Sequence, residues 1–235
     1  MTIASPHNKQ LTLIRKLNAR RHDRERSGQF VAEGEDLLAA GDAAGWEPLA
    51  RYCAAGSGLG GTEVEPRLLA GVSELGSGTR ALAVYRERWA PAAAGPLCVY
   101  LHGVHDPGNV GAILRSADAF AASSVAIGPG TADPFGPKAV RASMGAVFSV
   151  ALARVTAIDE LPRPTVALAA GRGVVLDQLA LSEATLMIGS ERDGLPAAVL
   201  DAADHVAAIP IANHSLNAAM AATVALYEVS RMARK

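Results

Sequence analysis

The sequence predicts an α/β protein, with a parallel sheet covered by helices on both faces and a small α/β unit ahead of it. Three observations lead there. Apolar runs of strand length recur at 97–101, 125–127, 165–169, 186–188 and 206–209, each followed by a Gly-rich or polar turn and a helical pattern. Near-continuous apolar strands alternating with helices are what a sheet buried on both faces requires. The texture before residue 88 is different, and the Ala- and Pro-rich stretch from Arg88 to Pro96 separates the two regions. Finally, half of the 235 residues are hydrophobic and 19% are charged, which is enough for a substantial core in one large domain or two small ones.

Taken in order, residues 8–27 read as a polar helix and 29–32 as a strand leading into Glu33-Gly34. Leu37, Leu38 and Ala39 suit a helix ending near Gly41 or Gly45, followed by a strand within 46–54. The run 56–61, Gly-Ser-Gly-Leu-Gly-Gly, is a loop by composition, with a further unit at 66–76 and a strand at 81–85. These limits divide the chain into a first domain at 1–90, a linker at 91–96 and a second domain at 97–235. The last strand should turn after Pro210 and enter a long helix capped by Ser215, with Leu216, Met220, Thr223 and Tyr227 at helical spacing.

Composition narrows the function classes. Aromatics make up 4% of the chain, which argues against base stacking on an aromatic platform. No apolar run reaches the ~20 residues needed to span a bilayer. The polar N-terminus lacks the apolar centre of a secretory signal, so a cytoplasmic location is expected. Cys53 and Cys98 form neither a disulfide framework nor a metal spacing, and suit buried thiols. Net charge is −1, yet residues 1–30 hold seven cations (Lys9, Arg15, Lys16, Arg20, Arg21, Arg24, Arg26) against Asp23 and Glu25. A basic arm of this kind suits a nucleic-acid backbone, and equally a solvated helix face.

Ligands of parallel sheets bind beyond the strand C-terminal ends, so three loops stand out. The first runs from His102 through Asp106-Pro107-Gly108-Asn109, a turn whose Asn109 can cap the next helix, to Arg115. Arg115 stands amid Ile113, Leu114 and Ala117, where a permanent charge needs a partner. A nucleic-acid phosphate or an intraprotein carboxylate, Asp118 or Glu191, would serve. The second loop is Gly189-Ser190-Glu191-Arg192-Asp193-Gly194, where Gly189 permits close approach of a ligand and Glu191 could orient Arg115. The third supplies Ser215 and Asn217. No dinucleotide or nucleotide-phosphate loop is present, and His102, His105 and Asp106 lack a second cluster to complete a metal site.

Together, Asp106 to Ala117, Ile188 to Leu195, and Ile209-Pro210-Ile211 through Ser215-Leu216-Asn217 resemble the SpoU (TrmH-type) RNA ribose methyltransferases of the SPOUT class. Arg141-Ala142-Ser143-Met144-Gly145-Ala146 looks like the family's intervening segment, and the likeness covers about 97–235. Residues 8–40, especially Phe30-Val31-Ala32-Glu33-Gly34, are similar to the ribosomal-protein-like substrate-binding domain that often precedes it. The family usually has Asn where Ser190 stands, and Val-Ser-Val where Ala218-Ala219-Met220 stand. The resemblance implies a C-terminal trefoil knot, a homodimer, S-adenosylmethionine as methyl donor without a metal, and a ribose 2′-hydroxyl in RNA as acceptor. It also implies Asn109, Arg115, Glu191, Ser215 and Asn217 as the catalytic set, and Ala169, Gly189, Ile209 and Leu216 as the donor pocket. RNA would be gripped by Arg15, Lys16, Arg20, Arg21, Arg24, Arg26 and Arg141. Ribosomal RNA is the favoured substrate, with transfer RNA, or a non-catalytic RNA-binding or assembly role, as the alternatives.

Overall fold

A computed structural model of the chain describes residues 2–74, 78–212 and 216–233. In chain order the first elements are α1 (Lys9–Ala19), α2 (Arg21–Ser27), β1 (Gln29–Glu33), α3 (Glu35–Ala43), β2 (Ala50–Ala54), β3 (Thr62–Val64), α4 (Pro66–Ala70) and β4 (Ala81–Arg86). There follow β5 (Leu97–Leu101), α5 (Pro107–Ala119), β6 (Ser124–Ile127), α6 (Pro137–Ala142), α7 (Ala146–Ser149), β7 (Ala151–Arg154) and β8 (Thr165–Leu168). The last are β9 (Val174–Val175), β10 (Ala184–Ile188), α8 (Ala197–Ala202), β11 (His205–Ala208) and α9 (Ala218–Met232).

Two compact units result. The first comprises residues 1–87 and 133–148, the second 88–132 and 149–235. Segment 133–148 thus belongs with the N-terminal unit, although the sequence expectation assigned it to the second domain. Aromatic packing explains this. Phe135 and Phe148 join Phe30, Trp46 and Tyr85 in one cluster, with Phe30 and Phe135 ring centroids 4.8 Å apart and Trp46 donating from Nε1 to the Phe148 carbonyl at 2.9 Å. The stretch expected as a linker is packed as part of the second unit. Ala90 bridges to Ala153, Ala93 is buried, and the Ala94 amide donates to Ser124 Oγ at 3.0 Å.

In the first unit, a four-stranded sheet is ordered β1-β4-β2-β3, antiparallel except for the β2–β3 pair. The helix expected over 8–27 is two helices, because Arg20 is extended at φ −134° and ψ 122°. The break has a physical reason. A helix end leaves carbonyls unpaired, and the turn at Arg20 brings the Arg24 guanidinium back onto the Leu17 carbonyl at 2.5 Å.

The second unit holds a seven-stranded parallel sheet, ordered β7-β6-β5-β10-β8-β11-β9. β5 and β10 are buried at every residue, as the apolar sequence of β5 demands, and the one polar side chain of β10, Thr185, donates to the Pro162 carbonyl at 2.6 Å. The short strands β3 and β9 have no apolar run long enough to announce them, whereas β7 lies in the apolar run 150–153 and was not expected. Strand order runs outward from β5 to β7 and then turns to the other side. Such reversals open a crevice beyond the strand C-terminal ends.

Two caps differ from expectation. Asp106, not Asn109, caps α5, accepting from the Gly108 amide at 2.6 Å with Pro107 in the first turn. Asn217 caps α9, two residues after the expected Ser215, which lies outside the described residues. On α9, Ala218, Ala219, Ala222, Ala225, Leu226 and Val229 are buried, while Met220, Val224 and Tyr227 are 61%, 41% and 54% exposed. Alanines permit the close approach of α9 to α5 and β10 that larger side chains would block. Ser116 and Thr223 Oγ atoms, 2.6 Å apart, tie the two helices together. Among the described residues, no helix is long and apolar enough to cross a membrane.

Candidate functional site

A cleft of about 410 Å³ opens beyond the C-terminal ends of β8, β10 and β11. Its floor is apolar, with Leu168, Ala169, Ile188, Ile209, Leu216 and Ala221 among the lining, and its rim carries Arg172, Glu191, Arg192 and Asp193. Ala169, Gly189, Ile209 and Leu216, which the sequence reading had grouped, all line this one cleft. The size falls in the ~300–1,000 Å³ range of small-molecule sites, and an apolar pocket with a few polar groups suits a nucleoside.

The wall formed by residues 189–194 is a tight turn. The Ser190 amide donates to the Gly194 carbonyl and the Gly194 amide to the Ser190 carbonyl, each at 3.1 Å. Ser190 Oγ accepts from the Asp193 amide at 3.1 Å and braces the turn from within. Gly189 is needed for this local fold, since a Cβ there would lie 2.2 Å from the Gly194 carbonyl carbon. The close approach it permits is that of its own turn, where the sequence reading expected a ligand.

At the rim, three side chains form a directed chain of hydrogen bonds. Asn217 Oδ1 accepts from the amides of Ala219 and Met220 at 2.9 and 3.3 Å, which fixes its Nδ2 as the outward donor. That nitrogen donates to Asn109 Oδ1 at 3.1 Å, and Asn109 Nδ2 donates to Glu191 Oε1 at 2.5 Å. The N-terminus of α9, the first turn of α5 and the β10 loop are thereby locked to one another. Amide orientation is not free at either asparagine, because each oxygen already has a donor.

Arg115 is placed differently from expectation. Ile113, Leu114 and Ala117 point into the core, while Arg115 lies on the exposed face of α5. Helical geometry separates them by about 100° per residue, so apolar neighbours in sequence are not neighbours in space. Among the described residues Arg115 has no hydrogen-bond or ion-pair partner, and Glu191 is bonded to Asn109 instead. Ser215 lies outside the described residues.

On the first unit, one of the seven basic residues expected to hold RNA is withdrawn from the surface. Arg24 is 5% exposed and pairs with Asp133 at 2.7 Å, so it serves the core and is unavailable to a ligand. Arg21 pairs with Glu25, Arg26 with Asp23, and Arg15 Nη1 donates to the Pro6 carbonyl. Lys16, Arg20 and Arg141 are exposed. Lys9, Lys16 and Arg26 also line a groove of about 320 Å³ between α1 and α2. Sequence charge alone had no way to separate Arg24 from its neighbours, because its partner lies 109 residues away.

Some groups near the sheet's C-terminal edge were not linked by the sequence reading. Tyr100 Oη and His102 Nδ1 are 3.0 Å apart, and burial pushes the His102 imidazole below its ordinary pKa. Among the described residues, no three His, Cys, Asp or Glu side chains converge as a metal site would require.

The sequence matches the SpoU rRNA Methylase family over residues 96–227. A 23S rRNA (uridine(2479)-2′-O)-methyltransferase from Streptomyces viridochromogenes is 39% identical over 140 residues, which are 53% of this chain and 49% of that protein. A 23S rRNA (guanosine(2553)-2′-O)-methyltransferase from Bacillus subtilis is 33% identical over 138 residues, 55% of this chain and 56% of that one. The matched segment therefore spans about half the length of these curated relatives. Among solved structures, an AdoMet-bound rRNA methyltransferase from Sinorhizobium meliloti superposes with a TM-score of 0.86 at 28% identity, over 98% of this chain and 97% of that one.

Proposed function

The chain belongs to the SpoU rRNA Methylase family, and we propose that it transfers a methyl group from S-adenosylmethionine to a ribose 2′-hydroxyl of RNA. Ribosomal RNA is the proposed substrate ahead of transfer RNA, with the protein acting in the cytoplasm as a homodimer. The observation that carries the reading is the double position of Glu191. It lines the apolar cleft and also terminates the Asn217–Asn109–Glu191 chain, so a nucleoside site and a polar array adjoin through one residue.

When bound, S-adenosylmethionine supplies an electrophilic methyl group. The chain's own residues position and neutralise. The cleft near Ala169, Gly189, Ile209 and Leu216 excludes water from the adenosyl end. Asn109, Asn217 and Glu191 present a rigid polar edge to the incoming ribose, which needs no reorganisation at the moment of reaction. Arg115, charged and without a partner among the described residues, anchors an RNA phosphate and stabilises charge developing on the ribose oxygen. A guanidinium already holds its proton at neutral pH and has no free lone pair with which to take the one from the ribose. The trefoil knot belongs to the same proposal. Insertion of β10 between β5 and β8, and of β11 between β8 and β9, supports it.

The test uses methyl-labelled S-adenosylmethionine with unmodified ribosomal and transfer RNA, and locates the label after digestion. Label on a 2′-oxygen in ribosomal RNA, abolished in Arg115→Ala, is the expected outcome. Label in transfer RNA alone would transfer the assignment to that substrate. Salt-sensitive RNA binding without any label would leave a binding protein.

A further inference from the structure

The cleft rim holds a cation that the proposed reaction does not use. We infer that Arg172 takes the α-carboxylate of the methyl donor and so sets which end of the donor faces that side of the cleft. This rests on reading the cleft as the donor site.

Four observations support it. Arg172 lines the cleft. Its turn is seated on the sheet: the Arg172 amide donates to the Ala169 carbonyl at 3.3 Å, and a Cβ on Gly173 would lie 2.0 Å from the Val206 carbonyl oxygen. Gly173 is left-handed, at φ 79°, so neither its space nor its backbone tolerates a side chain, and the turn has one seating on β11. Of the other arginines of this unit, Arg115 stands outside the lining of the cleft, and three are engaged within the protein. Arg163 pairs with Asp204, Arg231 with Glu228, and Arg154 lies 4.2 Å over the Trp89 ring. The Arg172 side chain, by contrast, has no hydrogen-bond or ion-pair partner among the described residues.

The donor's chemistry meets this arrangement. Its adenosine is uncharged, its sulfonium and ammonium are cationic, and its carboxylate is the one anion it carries. A guanidinium fork is matched to a carboxylate and repelled by the other two charges. Arg192 also lines the cleft, but it stands between Glu191 and Asp193, whose charges oppose its own. Arg172 has no acidic residue within four positions on either side.

Two uncharged-ring ligands separate this idea from the reading beneath it. S-adenosylhomocysteine keeps the amino-acid end, whereas 5′-methylthioadenosine lacks it. Their affinities would be measured by titration calorimetry for wild type, Arg172→Ala, Arg172→Lys and Arg192→Ala. Arg172→Ala should weaken S-adenosylhomocysteine about tenfold, the scale of one hydrogen bond to a charged group, and leave 5′-methylthioadenosine within about twofold. Arg172→Lys should recover part of the loss, and Arg192→Ala should not alter the ratio. Retained 5′-methylthioadenosine binding shows that the variant is folded. Equal losses for both ligands, no loss for either, or the selective loss arising from Arg192→Ala would overturn the inference. Wild-type protein binding neither ligand would overturn the donor reading and this inference with it.

Discussion

Asn109 has both ends of its amide committed, accepting from Asn217 and donating to Glu191. Alanine at this position would leave one donor and one carboxylate without their mutual link. A hydrogen bond to a charged group is worth ~1.5–3 kcal/mol, so Asn109→Ala should lower kcat/KM by about 10- to 100-fold in a methyl-transfer assay. Asn109→Asp should fall further, because a second carboxylate would face Glu191 with no proton to donate. Activity in Asn109→Asp equal to wild type would show that the chain of bonds does not matter for turnover. The residue scale also separates cations that sequence treats alike. Arg24→Ala strands Asp133 in the first unit's core and should cost roughly 3–5 kcal/mol in denaturant unfolding. Lys16→Ala and Arg20→Ala should leave stability intact, and each should reduce the salt slope of RNA binding by about one. An unchanged slope in both would remove α1 and α2 from the RNA surface.

At the scale of the element, α9 is the informative helix. Ala218, Ala219, Ala222 and Ala225 face inward with Leu226 and Val229, while Met220, Val224 and Tyr227 face outward, Tyr227 lying against Phe120 at a centroid distance of 6.1 Å. Met220, Val224 and Tyr227 follow at spacings of four and three, so they share one face. An apolar stripe turned to solvent on a helix that is otherwise closely packed supports the proposal that a second copy covers it. Val224→Glu should shift the protein from dimer to monomer in sedimentation velocity without loss of helical signal. A wild type that sediments as a monomer at micromolar concentration would remove the homodimer from the proposal. The periodicity of these residues was legible in the sequence, but not which side was buried. Alanine is tolerated everywhere on a helix, so an Ala-rich pattern does not point inward by itself.

At the scale of the whole molecule, the first unit is built from two separate stretches of chain. Phe135 and Phe148 supply two rings to a cluster that otherwise contains Phe30, Trp46 and Tyr85, and Asp133 partners Arg24. Buried aromatics carry large apolar areas, and losing two together removes several kcal/mol by the ~3–5 kcal/mol cost of a single Phe→Ala change. A fragment of residues 1–87 should therefore unfold at lower denaturant than the same unit in the intact chain, and should bind a hydrophobic dye. Identical midpoints would mean that 133–148 adds nothing to that core.

Much of the second unit could be read from sequence. Its central strands are mostly apolar, as burial on both faces requires, and the buried Thr165 and Thr185 have hydrogen-bond partners. Ala169, Gly189, Ile209 and Leu216, grouped in the sequence by the family resemblance, line one cleft, and strand C-terminal ends in a parallel sheet do fall together where the strands pair. What sequence could not decide were the contacts made at long range. Arg24 with Asp133, Asn109 with both Glu191 and Asn217, and Phe30 with Phe135 each join residues more than 80 positions apart. Local composition fixes the chance that a segment is helix or strand. Only the packed chain decides which charge is buried, which cap is used and which face of a helix meets water, because those choices minimise unpaired groups across the whole fold.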